Sequence, residues 1–197
     1  KIFLFLIAFF FYIDGVYTII DMATAYGSAL GLDSTGLLLA LLVTQLVAFP
    51  SAIIFGKLAK RFNTEKLILV CISAYLFIAI FAIFLATQLQ FWILAVLVGM
   101  FQGGVQALSR SYFAKIIPAE QAGEYFGLMD ICGKGAAFLG TTVVGVVTQI
   151  TGSMSKGVGM ISVFFVIGIV FFNMAMKIDN TCKVHAKKKR HNEEPVE

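Results

Sequence analysis

Six long apolar segments, separated by short polar connections, dominate this 197-residue sequence. A helix needs roughly 20 mainly apolar residues to cross the ~30 Å hydrocarbon layer of a membrane. The segments are continuously apolar and lack the ~10-residue alternation of membrane β-strands. The chain is 59% hydrophobic and 13% charged, outside the range of ordinary soluble domains. We therefore predict an all-α membrane protein with transmembrane helices over 2–30, 35–55, 67–86, 91–113, 124–150 and 157–176.

Basic residues are concentrated on one side of this predicted bundle. The opposite connections contain a single basic residue, Lys156. Because positive charge is retained in the cytoplasm, we expect both ends of this chain and the basic connections to be cytoplasmic. Residues 1–177 form the predicted bundle, and 178–197 a basic cytoplasmic tail without order. The net charge of +4 follows from this topology and favours anionic lipid, so it does not require a nucleic acid. The basic residues flanking the segments are Lys57, Lys60, Arg61, Lys66, Arg110, Lys115 and Lys177.

Polar side chains inside the segments are unevenly distributed. The first, second, fourth and fifth segments contain them, whereas the cores of the third and sixth have no ionisable residue. This polar, polar, apolar order occurs twice, which indicates two three-helix repeats whose third helix lies outermost against lipid. Ionisable groups within a membrane usually face a bundle interior or an aqueous cavity. The candidates for contacting a solute or a coupling ion are Asp14, Thr18, Asp21, Gln45, Gln102, Gln106, Asp130 and Lys134.

Helical spacing groups the charged candidates. Asp14, Thr18 and Asp21 share one helix face, and Asp130 lies one turn from Lys134, which predicts an ion pair. Asp14 and Lys134 lie about 18 Å and about 16 Å from the cytoplasmic ends of their helices, at ~1.5 Å per residue. We hypothesise that these two bridge a central cavity, and that a proton or substrate competes for the bridge. The alternative is a static ion pair that fixes helix packing.

Two glutamines in the fourth segment have two equally supported interpretations. Gln102 and Gln106 are four residues apart and are suited to hydrogen-bonding a polar solute or another helix. Gly99 and Gly103 in the same stretch predict a close approach between two helices.

The connection at 56–66 resembles the loop motif that follows the second helix in each half of major facilitator superfamily transporters. Gly56 and Arg61 match the motif, whereas Lys60 stands where an aspartate is usual. Residues 11–18 and 102–113 resemble the vacuole effluxer-like branch of that superfamily, the autophagy-related amino-acid effluxers. The resemblance spans about 3–175, and it implies that the chain is a fragment equivalent to helices seven to twelve of a twelve-helix transporter.

The resemblance also implies a cytoplasmic gate. Gly56, Lys60 and Arg61 would form one latch, and Arg110 a second with Glu120 or Glu124 as its partner. Anchoring of positive charge at the membrane surface is the alternative explanation for these residues. In fungal members the implied activity is efflux of amino acids, whereas many prokaryotic members have no settled substrate.

We therefore expect a secondary transporter that moves small polar solutes, with amino acids as one candidate class, by alternating access. Its expected partners are the solute, a proton or other coupling ion, lipid and the missing amino-terminal half. A membrane scaffold or receptor and a six-helix homodimer remain alternatives. No enzymatic activity, cofactor or metal is expected, because no ligand cluster, phosphate loop or nucleophile with a base is present. In a prokaryote the location would be the inner membrane.

Overall fold

The computed structural model describes the backbone of residues 1–193 and the side chains of residues 1–178. Within these residues it is all-helical, with a short 3-10 turn at Ala119–Gln121. Six helices are long and apolar enough to cross a membrane. The predicted fold class is therefore confirmed. The helices are α1 (Ile2–Ala29), α2 (Ser34–Arg61), α3 (Thr64–Ile83), α4 (Gln88–Ile116), α5 (Ala122–Thr151) and α6 (Met154–Glu193).

Polar residues in the connections set the ends of the helices. The side chains of Asp33, Asn63 and Thr87 accept hydrogen bonds from backbone N–H groups in the first turns of α2, α3 and α4. These bonds satisfy donors that have no partner within the helix. Gly152 ends α5 in the left-handed conformation, at φ 66°. Every helix except α1 extends beyond the apolar stretch that predicts it at one or both ends, and α3 begins three residues earlier and ends three residues earlier than predicted.

The packing of the helices is nearly symmetric between the two halves of the bundle. α1 packs against α5 and α6, and α4 packs in the same way against α2 and α3, while α3 contacts α6. Exchanging α1 with α4, α2 with α5 and α3 with α6 therefore reproduces these contacts, although α5 also packs against α6 more extensively than α2 packs against α3. The two predicted three-helix repeats are confirmed by this arrangement.

The carboxyl-terminal segment differs from expectation. α6 continues past the predicted end at residue 176 as far as Glu193. The expected disorder of the tail is therefore not seen over 178–193, and 194–197 lie outside the described residues. A physical reason is that lysine, arginine and alanine are good helix formers, so this segment continues the preceding helix at little cost.

Helix α1 is held in the middle of the bundle by aromatic side chains. Phe5, Tyr12 and Phe165 are wholly buried. The Tyr12 hydroxyl hydrogen-bonds Ser109 Oγ of α4 at 2.7 Å. The ring of Phe165 in α6 lies directly against Gly15, where a larger residue would overlap it. The central position of α1 carries Asp14 and Thr18 into the protein interior.

Candidate functional site

A cavity of about 110 Å³ lies between α1, α4 and α5. Its floor is one face of α1, and its walls come from adjacent turns of α4 and α5. Its lining includes both charged and apolar side chains. None of the lining residues belongs to α2, α3 or α6. The lining residues are Phe9, Ile13, Tyr17, Gln106, Arg110, Met129, Asp130, Gly133 and Lys134.

An ion pair joins the two walls of this cavity. Arg110 Nη2 of α4 donates to Asp130 Oδ1 of α5 at 2.6 Å. Their side chains are 58% and 48% exposed, so the pair is accessible to solutes. Apart from Phe113 of α4, whose ring packs edge-on against Tyr125 and Phe126 of α5 near the connection, the two helices pack mainly against other helices. The ion pair therefore spans a gap between two helices in front of α1.

Lys134 is exposed and lines the same cavity, but it forms no ion pair within the described part of the chain. The expected pair between Asp130 and Lys134 is thus absent, and Asp130 binds Arg110 instead. Spacing along one helix identifies neighbours on its surface, but it does not account for a long side chain reaching across from another helix. Lys134 is therefore an accessible cation next to the carboxylate of Asp130, which is already paired with Arg110.

Asp14 lies apart from the cavity, in the contact between α1 and α5. Its side chain is completely buried. Its Oδ1 accepts hydrogen bonds from the backbone N–H of Gly140 at 2.9 Å and from Thr18 Oγ1 at 3.3 Å. The second oxygen, Oδ2, has no hydrogen-bond partner among the described residues. The hypothesised bridge from Asp14 to Lys134 is not formed, because Gly140 and Thr18 hold the carboxyl group against α5.

The other polar candidates separate into different environments. Asp21 and Gln45 are exposed, and so Asp21 does not continue the buried polar face of Asp14. Gln106 lines the charged cavity. Gln102 is half-buried, and its Oε1 has no hydrogen-bond partner within the described residues. Of the uncharged candidates, Gln106 lies in the cavity with Arg110, Asp130 and Lys134, whereas Thr18 hydrogen-bonds Asp14.

The gate residues lie at the end of α2. Gly56, Lys60 and Arg61 are exposed, and neither basic side chain forms an ion pair with any residue whose side chain is described. Arg110 was expected to pair with Glu120 or Glu124. It pairs with Asp130, which approaches from α5 at the depth of the cavity. The role of the gate residues stays a prediction.

Sequence reasoning missed several residues that complete the site. Tyr17 and Gly133 lie on the facing surfaces of α1 and α5, where a methyl group added at Gly133 would be in van der Waals contact with Phe9 and Tyr17. Gly140 supplies a backbone N–H group to Asp14. The spacing of Gly133 and Gly140, two turns apart on one face of α5, is the signal that indicates a close helix contact there.

A second cavity, of about 40 Å³, lies nearer the opposite ends of the helices. Ile19, Tyr26, Leu41 and Leu94 are among its lining residues, which are almost entirely apolar. The Tyr26 hydroxyl donates to the Ala82 carbonyl oxygen at 2.6 Å and closes this end of the bundle. The interior is thus polar towards the connections predicted to be cytoplasmic and apolar towards the other side.

Comparison with known proteins agrees with this architecture. The family model described as vacuole effluxer Atg22 like matches residues 1–183. The chain belongs to this family. It is 53% identical over 169 residues to the uncharacterized MFS-type transporter YxiO of Bacillus subtilis (strain 168). This match covers 86% of the chain and 40% of the relative.

More distant similarity extends to fungal members of the Atg22-like family. Autophagy-related protein 22 of Cryptococcus neoformans (strain JEC21) is 26% identical over 86% of the chain and 33% of the relative. Autophagy-related protein 22 of Saccharomyces cerevisiae (strain S288c) is 29% identical over 75% of the chain and 30% of the relative. The chain thus spans 40% or less of the length of these curated relatives.

Proposed function

We propose that this chain is the carboxyl-terminal half of a secondary transporter of small polar solutes, and that the charged cavity is its part of the solute site. The observation that carries the proposal is the cluster of Arg110, Asp130 and Lys134 in an accessible cavity between transmembrane helices. Charged side chains at such depth are costly unless they have a function or a partner. Similarity to an MFS-type transporter supports the same activity.

The depth of the site suits a solute entering from the cytoplasm. At ~1.5 Å per residue, Asp130 lies about 12 Å from the start of α5 and Arg110 about 9 Å from the end of α4. Both distances are measured from the connection between α4 and α5, which the charge distribution predicts to be cytoplasmic. We propose that the structure represents a state open towards the cytoplasm. In a prokaryote the membrane would be the plasma (inner) membrane.

The missing amino-terminal half is the proposed partner across the site. Helices α2 and α5 expose large apolar side chains, among them Leu46 and Phe49 of α2 and Ile131 and Phe138 of α5. These two helices exchange under the symmetry of the bundle, so one partner with the same symmetry would cover both. Lipid or a second copy of this chain are the alternative occupants, and size measurement of the purified protein distinguishes them.

Asp14 is the proposed site for a coupling proton. It is a wholly buried carboxyl group whose Oδ2 has no hydrogen-bond partner among the described residues. Burying a carboxylate without a cation costs several kcal/mol, so a proton or a change of conformation must accompany its charging. The contact with Gly140 links that event to the packing of α1 against α5.

Solute flux in proteoliposomes that contain the full-length protein tests this function. A panel of amino acids and small organic acids would be measured with and without a pH gradient, comparing the wild type with Asp14→Asn. We expect gradient-driven flux to be lost in Asp14→Asn while exchange of solute between the two sides persists. Flux that is unaffected by this substitution would leave Asp14 as a packing residue. An absence of flux in the folded wild type would favour the scaffold alternative.

A further inference from the structure

The charges that line the cavity do not balance. Two cations, Arg110 and Lys134, face one anion, Asp130. Asp14 does not balance the excess, because its carboxyl group is turned into the contact between α1 and α5. The other polar groups of the lining, Gln106 and Tyr17, are uncharged amide and phenol groups at neutral pH. The surface that this chain contributes to the cavity therefore has one positive charge in excess.

The two cations lie on opposite walls and both have donors to spare. Arg110 makes one hydrogen bond to Asp130 through Nη2, and a guanidinium group has five N–H donors. Lys134 is one helical turn from Asp130 on the same face of α5 and has three donors on its ammonium group. Asp130 therefore lies within reach of both cations but satisfies only one of them in this structure.

The rest of the cavity lining suits the uncharged part of a small organic molecule that carries an anionic group. Gln106 and Tyr17 offer hydrogen bonds, whereas Phe9, Ile13 and Met129 form an apolar surface. A volume of about 110 Å³ is several times what one water molecule needs and accommodates a solute of a few heavy atoms. An inorganic ion would leave the apolar surface without a partner.

We infer that this cavity binds the carboxylate of a small monoanionic organic solute between Lys134 and Arg110, and that Asp130 is a tethered competitor which this carboxylate displaces from Arg110. The inference rests on the proposed transport function and specifies its substrate class. A monoanion neutralises the excess charge, whereas a zwitterion leaves it in place and a dianion reverses it. Neutrality matters here because an uncompensated charge is costly at this depth in a membrane.

Two substitutions are expected to act in opposite directions. Lys134→Gln removes a charge-assisted hydrogen bond and should weaken binding of the carboxylate about tenfold or more. Asp130→Asn removes the competing anion and should tighten binding about two- to fivefold, the range expected when an exposed ion pair no longer competes. Lys156→Gln is the matched control, since Lys156 is exposed at the start of α6 outside the cavity.

Binding is measured independently of transport, as the shift in the unfolding temperature of the purified full-length protein in detergent. The probes are acetate, lactate and pyruvate, with lactamide as the uncharged counterpart of lactate and alanine as the zwitterion. We expect stabilisation by the monocarboxylates, less by alanine and none by lactamide. The shift should be lost in Lys134→Gln, reached at lower concentration in Asp130→Asn and unchanged in Lys156→Gln.

Three outcomes would overturn the inference: equal stabilisation by lactate and lactamide, weaker binding in Asp130→Asn, or no response to any of the monocarboxylates. Should Lys134→Gln fail to fold, the gain of affinity in Asp130→Asn still decides the matter. Flux of the same solutes in proteoliposomes separates the two proposals. Carboxylate binding without any flux would refute the transport function alone, and flux of uncharged or zwitterionic solutes without carboxylate binding would refute this inference alone.

Discussion

Two helix contacts in this bundle have equivalent positions but different chemistry. α4 packs against α2, and α1 packs against α5, and the two pairs exchange under the symmetry of the repeats. In the first contact Gly103 lies directly against the Ala48 carbonyl oxygen, and Thr44 Oγ1 donates to the Ala95 carbonyl oxygen at 3.1 Å. Neither of these two interactions involves an ionisable group.

The contact between α1 and α5 also includes a glycine, but here the glycine faces a carboxyl group instead of a backbone carbonyl oxygen. Gly140 lies against Thr18 and Asp14, and its N–H group donates to Asp14. Backbone-to-backbone packing does not change with conditions, whereas a buried carboxyl group changes its charge when a proton binds or leaves. The difference suggests a fixed joint between α2 and α4 and an adjustable one between α1 and α5.

The largest expected effect is on the fixed joint. In Gly103→Ala the new methyl group would overlap the Ala48 carbonyl oxygen, a backbone atom that cannot rotate away. We expect a loss of about 2–3 kcal/mol in the free energy of unfolding, since overpacking of this kind separates the helices. The matched control is Gly135→Ala, which meets open space and should be neutral or slightly stabilising. Denaturant unfolding in detergent measures both, and equal stabilities would contradict a close joint here.

A smaller effect is expected from the same substitution in the adjustable joint. In Gly140→Ala the methyl group would meet the side chains of Thr18 and Asp14, which can rotate at moderate cost. We expect a loss of about 1–2 kcal/mol in unfolding free energy. Combining Gly140→Ala with Thr18→Ala should restore much of it, because one of the overlapping groups is removed. A double-mutant cycle with strictly additive losses would show that the two residues are not coupled in this way.

The smallest effect concerns the hydroxyl group of the fixed joint. Thr44→Val keeps the shape of the side chain but removes a donor shared between the Ala40 and Ala95 carbonyl oxygens. Interhelical hydrogen bonds in membranes contribute about 0.6 kcal/mol on average, so we expect a loss of that order. A loss larger than that from Gly103→Ala would mean that hydrogen bonding, rather than glycine packing, holds α2 against α4.

Much of this architecture was predictable because a membrane constrains a sequence strongly. The six spans, the repeats and the close approach at Gly99 and Gly103 follow from apolar length, the order of polar helices and glycine spacing. Each is a property of a helix or of its surface. Asp130 and Lys134 were also predictable as site residues, since an ionisable side chain within a membrane segment is conspicuous, whereas the sequence assigned Arg110 to a cytoplasmic gate.

The pairing of those residues was decided by the tertiary structure alone. Spacing along α5 paired Asp130 with Lys134, whereas the packed helices bring Arg110 to Asp130 from another helix. Similar depth in the membrane predicted a pair between Asp14 and Lys134, but Asp14 accepts a hydrogen bond from the backbone N–H of Gly140. Every residue except proline has such a donor, so the sequence gives no sign of which backbone N–H group a carboxylate will bind. The sequence by itself determined which charges lie within the membrane, and helix packing determined which partner each of them has, because partners on different helices are related by crossing geometry rather than by residue number.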